Sequence, residues 1–457
     1  MQSDADTIAA ISTPPGAGGI GIVRVSGPTA VDVVRGYFVS ATGKDISGDA
    51  RQVYYGEFCV NEEAVDEVLV HVMRGPHSYT AEDVVEINGH GGAAPLQAIL
   101  SAVLEAGARL AGPGEFTQRA FMNGRIDLVQ AEAVMDRIQA MTQAGLKAAS
   151  AAARGALSKT LHAFREDLVL AKAHIEAAVD FPDDDLPELI TPELKARIDG
   201  VLAGMESLFA NADAGRLYRE GASAVIAGKP NVGKSSLFNA LLRDARAIVT
   251  HHAGTTRDVL EEVISIEGIA VKLVDMAGIR ETDDDVERIG VDRARVALSE
   301  SDVVLFVVDA SAPLSEEDRR ILDEALSAKV PTMLIANKID LGISADLSDY
   351  RDEVTAVCEV SAVEETGLAE MEHALGVLLR DGKEFMPDQG MITRAHQKDS
   401  LRRGIEALKR LQGNYDTSPE FMSIDMDDAL AALGEITGET TPDEVLGHIF
   451  NSFCIGK

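Results

Sequence analysis

Apolar positions in the first part of the chain fall into short β-branched runs. Ile20–Val25, Gln52–Phe58, Asp66–Val72 and Val84–Ile87 alternate well enough to predict strands. Pro28–Phe38 and Pro95–Ala106 predict helices with proline in the first turn. The glycine-rich stretches Thr13–Gly19 and Asn88–Gly92 predict loops, and His90 then sits in a turn with no metal-spaced partner nearby. From Ile126 the period lengthens. Leu157, Leu161, Phe164, Leu168, Ala171, Ile175 and Ala178 keep one apolar stripe in register, which predicts a long packed helix. Phe181–Pro187 breaks it with an acidic loop, and Thr191-Pro192-Glu193 starts another helix with threonine as N-cap.

Between Gly221 and Leu379 short apolar runs alternate with helical stretches, the pattern of a mostly parallel sheet covered on both faces. The strands predicted after Ala222–Ala227 are Val259–Ile266, Ala270–Val274, Val303–Val308, Thr332–Ala336 and Thr355–Val360. The first two of these are joined by Glu267-Gly268 as an antiparallel edge hairpin. Helical periodicity returns after Met386 through Leu401, Ile405, Leu408 and Leu411, and Thr441-Pro442 predicts the cap of a last helix. The expected organisation is an α+β domain over residues 1–122 and an all-α domain split into 123–220 and 381–457. An α/β domain over 221–380 is inserted between the two helical parts, an arrangement favoured where an insert's termini lie close together.

Composition narrows the class. The chain has 457 residues, 46% hydrophobic and 26% charged, as expected of a globular protein. No stretch approaches the ~20 apolar residues of a membrane span, and the first residues lack a basic leader. The expectation is a cytoplasmic protein without membrane attachment. A net charge of −33 argues against broad sequence-independent binding of nucleic acid. Arg394, Lys398, Arg402, Arg403, Lys409 and Arg410 form a local basic cluster, expected to be a solvated helix face. Cys59, Cys358 and Cys454 are too scattered for a disulfide framework; the first two lie in apolar runs that predict buried thiols.

The chemistry is carried by Gly228–Ser236, GKPNVGKSS, which matches G-x-x-x-x-G-K-[ST] between an apolar run and a helical one. Gly228 and Gly233 let backbone N–H groups face phosphate oxygens at a helix N-terminus. Lys234 is placed for the β- and γ-phosphates and Ser235 for Mg²⁺. Asn337-Lys-Ile-Asp340 chooses the base, because the Asp340 carboxylate matches the N1–H and exocyclic amine of guanine, whereas adenine leaves it unpaired. Asn337 and Lys338 support the base pocket, and Ser361-Ala362 offers an N–H to the guanine oxygen. Asp275-Met276-Ala277-Gly278 is a D-x-x-G element, and Gly254–Asp258 a switch segment presenting a threonine to Mg²⁺. The water-orienting Gln of Ras-like switches is replaced by Ile279.

These motifs, with Thr7-Ile-Ala-Ala, TPPG, HGG, PGEFTQRAF at 113–121 and the terminal FCIGK, resemble the MnmE (TrmE) family of tRNA-modification GTPases along the whole chain. The resemblance implies a folate-binding and dimerising N-terminal domain, a helical domain and an inserted Ras-like G domain. It implies a homodimer that works with the FAD-dependent partner MnmG (GidA), in a heterotetrameric or larger complex. The two place an aminomethyl or carboxymethylaminomethyl group on C5 of wobble uridine 34 of certain tRNAs, the carbon coming from 5-formyl- or methylene-tetrahydrofolate.

Carried over, GTP is held by Asn231, Val232, Gly233, Lys234, Ser235, Ser236, the segment Thr250, His251, His252, Ala253, Gly254, Thr255 and Thr256, the Asp275–Gly278 element, and Asn337, Lys338, Asp340, Ser361 and Ala362. Mg²⁺ falls to Ser235 and Thr256, and K⁺ to Asn231, Thr250, Thr255 and the carbonyl of His252. Glu287 positions water, Cys454 acts in modification, and Arg24, Glu82, Arg125 and Lys457 line the folate site. The chain departs from the family pattern at Ala17, Met276 and Arg125. A ribosome-assembly or checkpoint switch would share the nucleotide motifs, but needs a basic RNA-binding domain that this sequence does not display.

Overall fold

The computed structural model describes residues 6–48, 52–180, 191–244, 262–275, 298–382, 390–415 and 419–457. The chain forms two compact units, Met1–Met135 with Gly434–Lys457, and Asp136–Leu433.

In the first unit β1 (Ile8–Ile11), β2 (Gly18–Ser26), α1 (Ala30–Arg35), β3 (Phe38–Ser40), β4 (Gln52–Val60), β5 (Glu63–Met73), β6 (Val84–Gly91), α2 (Ala93–Glu105) and β7 (Arg109–Leu110) follow in sequence. They build a seven-stranded sheet of order β3-β4-β5-β6-β2-β1-β7. Period-2 alternation is visible in β4, where Tyr54 and Phe58 are buried while Val53 and Tyr55 are exposed. The inward row packs on Ile99 and Val103 of α2 and Val31 and Val34 of α1. Then come α3 (Glu115–Met122) and α4 (Leu128–Gln139), the unit boundary falling within the latter.

The second unit contains α5 (Gln143–Ala153), α6 (Ala156–Asp180), α7 (Pro192–Ala210), α8 (Ala212–Glu220), β8 (Ala222–Ala227), α9 (Lys234–Asp244), β9 (Glu262–Ile266) and β10 (Ile269–Asp275). β11 (Val303–Asp309), α10 (Glu316–Ser327), β12 (Thr332–Asn337), β13 (Ala356–Glu359), α11 (Leu368–Leu379) and α12 (Ala395–Gly413) follow, and α13 (Pro419–Thr437) crosses the boundary. The heptad stripe of α6 is buried at Leu157, Leu161, Leu168, Ala171 and Ile175. Thr191 caps α7 as its sequence predicts, accepting from Leu194 N. The sheet order is β13-β12-β11-β8-β10-β9, parallel except for the edge hairpin β9–β10. Every residue from Val303 to Val308 is fully buried, odd positions facing α8, α9 and α11 and even positions facing α10. A run apolar at every position is what a strand covered on both faces requires.

The chain re-enters the first unit at Gly434, and α14 (Asp443–Asn451) brings Leu446, Phe450 and the following Phe453 onto Leu128, Ala131 and Met135. Full burial of each of these phenylalanines contributes about 1.5–3 kcal/mol. Thr441 does not cap α14. Its hydroxyl donates to Glu435 O at 2.7 Å and Pro442 occupies the N-cap. Asn88–Gly91, expected as a turn, continues β6: Gly89 and Gly91 stand opposite Gly21 and Gly18 across an irregularity in β2. Glycine reads as a turn former, but strands use it where a ladder is irregular. His90 is accordingly not in a turn, and its ring pairs with Asp66 at 2.6 Å, which raises its pKa.

Candidate functional site

The phosphate loop follows β8, the strand at which sheet order reverses, with β11 on one side and β10 on the other. That switch point leaves a crevice at the carboxyl ends of the strands. Gly228, Asn231 and Gly233 all take positive φ, of 136°, 66° and 97°, and α9 begins at Lys234. Asparagine tolerates the left-handed region better than other side chains. Ser235 and Ser236 are exposed on the first turn of α9, while Lys234 lies back along the loop, donating to Gly228 O at 2.9 Å and Lys229 O at 2.8 Å.

Two side chains from the base-selecting element brace this loop. Asn337, 2% exposed, donates to Val232 O at 2.9 Å and accepts from Ala362 N at 3.1 Å. Lys338 reaches Asn231 O at 2.8 Å and the Asp309 carboxylate at 2.6 Å. Burial raises the pKa of Asp309, but the Lys338 ammonium and the hydroxyl and amide of Ser311 outweigh it and hold the group below the usual carboxylate range. Asp340 is exposed in a one-turn 3₁₀ helix, its carboxylate accepting from Ser361 Oγ at 2.6 Å. The sequence reading gives a backbone N–H of Ser361-Ala362 to the guanine oxygen. Here Ser361 N bonds Thr366 O and Ala362 N bonds Asn337, so each has a partner within the protein.

The backbone of Asp275 ends β10 beside Ile226. Its side chain, and Thr250, His251, His252, Ala253, Gly254, Thr255, Thr256, Met276, Ala277, Gly278 and Glu287, lie outside the described residues. Sequence reasoning missed Lys229, which pairs with buried Asp318 at 2.7 Å and so ties the loop to the capping box of α10. A lysine directly after Gly228 carries no signal of a partner 89 positions away.

In the first unit the C-terminal tail meets β1 and β2. Pro113 bridges Ile455, and Gly456, at φ 92°, lies so close to β1 that a Cβ would stand 2.5 Å from Ile11 O. The Gly456 carbonyl accepts from Ser12 Oγ at 3.1 Å and from the Arg24 guanidinium at 2.9 Å. Arg24 also pairs with Glu86 at 2.8 Å and lies over the rings of Tyr79 and Phe116. Arg125 covers Tyr79 with its guanidinium carbon 4.9 Å from the ring centroid. Lys457 is half-buried; burial, with Arg24 nearby, lowers its pKa. Glu82 accepts from Ser26 Oγ at 2.7 Å and from Arg119 at 3.3 Å. Arg24 and Arg125 thus share the Tyr79 ring, Lys457 lies near Arg24, and Cys454 is exposed three residues before Lys457. Tyr79, Phe116 and Glu86 were not legible as site residues, because what brings each to Arg24 is contact across 55, 92 and 62 positions rather than any local pattern.

The basic cluster of α12 is neutralised. Arg394 pairs with Asp136, Lys398 with Asp213, Arg402 and Arg403 with Asp399, Lys409 with Glu206, and Arg410 with Asp425. Most of these cations remain well exposed alongside their carboxylate partners, so the face is solvated and ion-paired. Cys59 and Cys358 are only partly buried. Among the described residues no three or more His, Cys, Asp or Glu side chains are grouped to hold a metal, and no helix is long and apolar enough to cross a membrane.

Residues 7–125 match the description "GTP-binding protein TrmE N-terminus" and residues 128–454 "MnmE helical domain". The tRNA modification GTPase MnmE of Alkaliphilus oremlandii is 44% identical over 99% of both chains, and that of Aquifex aeolicus 43% identical over 99% of this chain and all of the other. The solved G domain of the T. maritima FeoB iron transporter, 27% identical, covers 34% of this chain and 98% of its own with a TM-score of 0.27. Matched by both family models and by relatives over 99% of its length, the chain belongs to the MnmE family of tRNA modification GTPases, GTP hydrolases that take part in tRNA modification.

Proposed function

We propose that this GTPase acts with the FAD-dependent MnmG to add an aminomethyl or carboxymethylaminomethyl group to C5 of wobble uridine 34, using a tetrahydrofolate as carbon source. The observation that carries the folate assignment is the pairing of Arg24 and Arg125 on the Tyr79 ring, with the half-buried Lys457 of the C-terminal tail close to Arg24. An aromatic surface suits a pterin face, and guanidinium and ammonium groups suit the glutamate carboxylates. Bound there, the folate supplies the one-carbon unit. Arg24 orients it from a side chain already fixed by Glu86 and Gly456 O, and the tail carries Cys454 to the same surface.

At the nucleotide, Lys234 and the loop amides bind phosphates, Ser235 and Thr256 hold Mg²⁺, and Asp340 selects guanine. The exposed Ser235 hydroxyl at a helix start is a fitting Mg²⁺ donor. Asn231, Thr250, Thr255 and the His252 carbonyl hold K⁺, an oxygen donor set that suits such a cation, and Glu287 orients the attacking water. GTP hydrolysis then drives a conformational cycle of a homodimer. The exposed row Val39, Val53, Tyr55 and Leu69 on one face of β3–β5, 57%, 59%, 51% and 43% exposed, supports self-association.

The test is mass spectrometry of wobble nucleosides in tRNA from cells lacking the protein, re-expressing wild type, Lys234→Ala or Cys454→Ser. Loss of the C5-aminomethyl class in the deletion, restored by wild type and by neither variant, is expected. Unchanged nucleosides in the deletion would sink the proposal.

A further inference from the structure

β10 is hydrogen-bonded on both sides, parallel to β8 and antiparallel to β9. Its last residue, Asp275, opens the D-x-x-G element and lies opposite Ile226, two positions before Gly228. Its first residue, Ile269, leaves the Glu267-Gly268 turn. Seven residues span about 20 Å, so one laterally fixed strand joins the nucleotide site to that turn.

The turn is held by helices. Thr142, the N-cap of α5, accepts from Gly145 N at 3.0 Å and donates to Gly268 O at 2.7 Å, so one hydroxyl both starts the helix and grips the hairpin. At Gly268 a Cβ would stand 2.7 Å from Ala144 Cβ. The Glu267 carboxylate takes His373 Nδ1 at 2.6 Å with one oxygen and the Arg380 guanidinium with the other, both from the α11 segment. Glu267 itself is at φ 46°, a conformation that costs free energy in a residue other than glycine or asparagine. Asn-Gly would make this turn with less strain, but asparagine offers no charge to pair with Arg380. Beyond the turn, Gly145, Ala148, Ala149 and Ala152 of α5 line a small pocket with Tyr218 and Met391, so small side chains face this side of the helix.

We propose that the Glu267-Gly268 turn is the latch through which nucleotide state at the Asp275 end of β10 is passed to helices α5 and α11, with Thr142 and Glu267 as its positioning residues. The proposal rests on the reading that GTP hydrolysis drives a conformational cycle, and adds the route. A displacement of β10 along its length carries Gly268 O against the α5 N-cap and the Glu267 carboxylate against α11, so both helices register it together.

The test is hydrogen exchange of the full-length protein, with GDP alone and with GDP plus aluminium fluoride, followed in peptides over 142–153, 222–236 and 368–380. In wild type the α5 and α11 peptides are expected to differ between the two states. Thr142→Val should abolish the α5 difference while Thr142→Ser restores it, with GTP turnover kept within about two-fold. A merely structural cap would raise α5 exchange equally in both states and leave their difference intact; that result overturns the latch. A response at 222–236 with none at α5 or α11 in wild type overturns it too, and leaves the conformational cycle standing. No response in any peptide removes both.

Discussion

Removing the Asn337 amide should disable nucleotide binding more than its distance from the phosphates suggests. Asn337→Ala leaves two buried backbone groups, Val232 C=O and Ala362 N–H, without their partner. Each such loss costs roughly 1–3 kcal/mol, giving about 2–6 kcal/mol for the pair. The cost falls on the phosphate loop and the 361–362 turn, which must be in place before GDP binds. If half of it appears as lost preorganisation, affinity drops by about 5-fold to 140-fold, since 1.4 kcal/mol is one decade. Asn337→Asp keeps an acceptor for Ala362 N but faces a carboxylate oxygen towards the Val232 carbonyl, so at neutral pH it should bind no better than the alanine variant. Titration with a fluorescent GDP analogue measures both, and hydrogen exchange of residues 228–236 should rise in parallel. Binding by Asn337→Ala within about two-fold of wild type would refute the bracing role, because half of even the smallest loss in the roughly 2–6 kcal/mol range weakens binding about five-fold.

Gly233→Ala meets both a φ of 97° and overlap with Asn337 Nδ2, so analogue binding should be lost while the far-ultraviolet spectrum stays near wild type. Gly456→Ala would push the tail off Ile11 O and cost the Arg24 bond to Gly456 O. Affinity for 5-formyl-tetrahydrofolate, by calorimetry, should fall about ten-fold or more, with GTP turnover unchanged. Lys229→Met strands the buried Asp318 carboxylate at a cost of roughly 1–3 kcal/mol, discounted because Lys229 is partly exposed; a lowered melting temperature recovered by adding Asp318→Asn would confirm it. The Asp309 carboxyl is depressed in the folded state, so its contribution is present above the unfolded value of 3.8 and fades as pH falls through the lower folded value. The melting difference between wild type and Lys338→Met should therefore be largest near neutrality and shrink on acidification.

What the sequence displays well is whatever local chemistry decides alone. Val303–Val308 is apolar at every position because both of its faces are covered, and that is visible without the fold. Glu267-Gly268 between two β-branched runs announces a hairpin, and Thr191-Pro192 announces a helix start. The turn from β8 into α9 was equally legible, since its glycines take positive φ within nine residues. Asn88–Gly91 and Thr441 were misread for one reason: a residue with strong local habits was used by a distant neighbour. Gly91 stays in the ladder because Gly18 faces it, and Thr441 spends its hydroxyl on Glu435 O.

The same reasoning explains why half of each site stayed hidden. Asn337 is recognisable from N-K-x-D as a base-pocket residue, yet its contacts go to Val232 and Ala362, 105 and 25 positions away. Arg394 and Lys398 looked like a cationic patch because Asp136 and Asp213, their partners, stand 258 and 185 residues off. A charge of −33 supplies such partners readily, so clustered cations in so acidic a chain are more often spent on distant carboxylates than left for a polyanion. The Arg24 surface shows this selectivity from the other side. Its guanidinium has Glu86 on one flank, but the tail approaches with a carbonyl and a half-buried ammonium, and burial makes that Lys457 charge costly. A cation kept half-buried beside another cation gains most from an anion arriving from solution, and this favours a carboxylate-bearing ligand over a purely structural role for the tail.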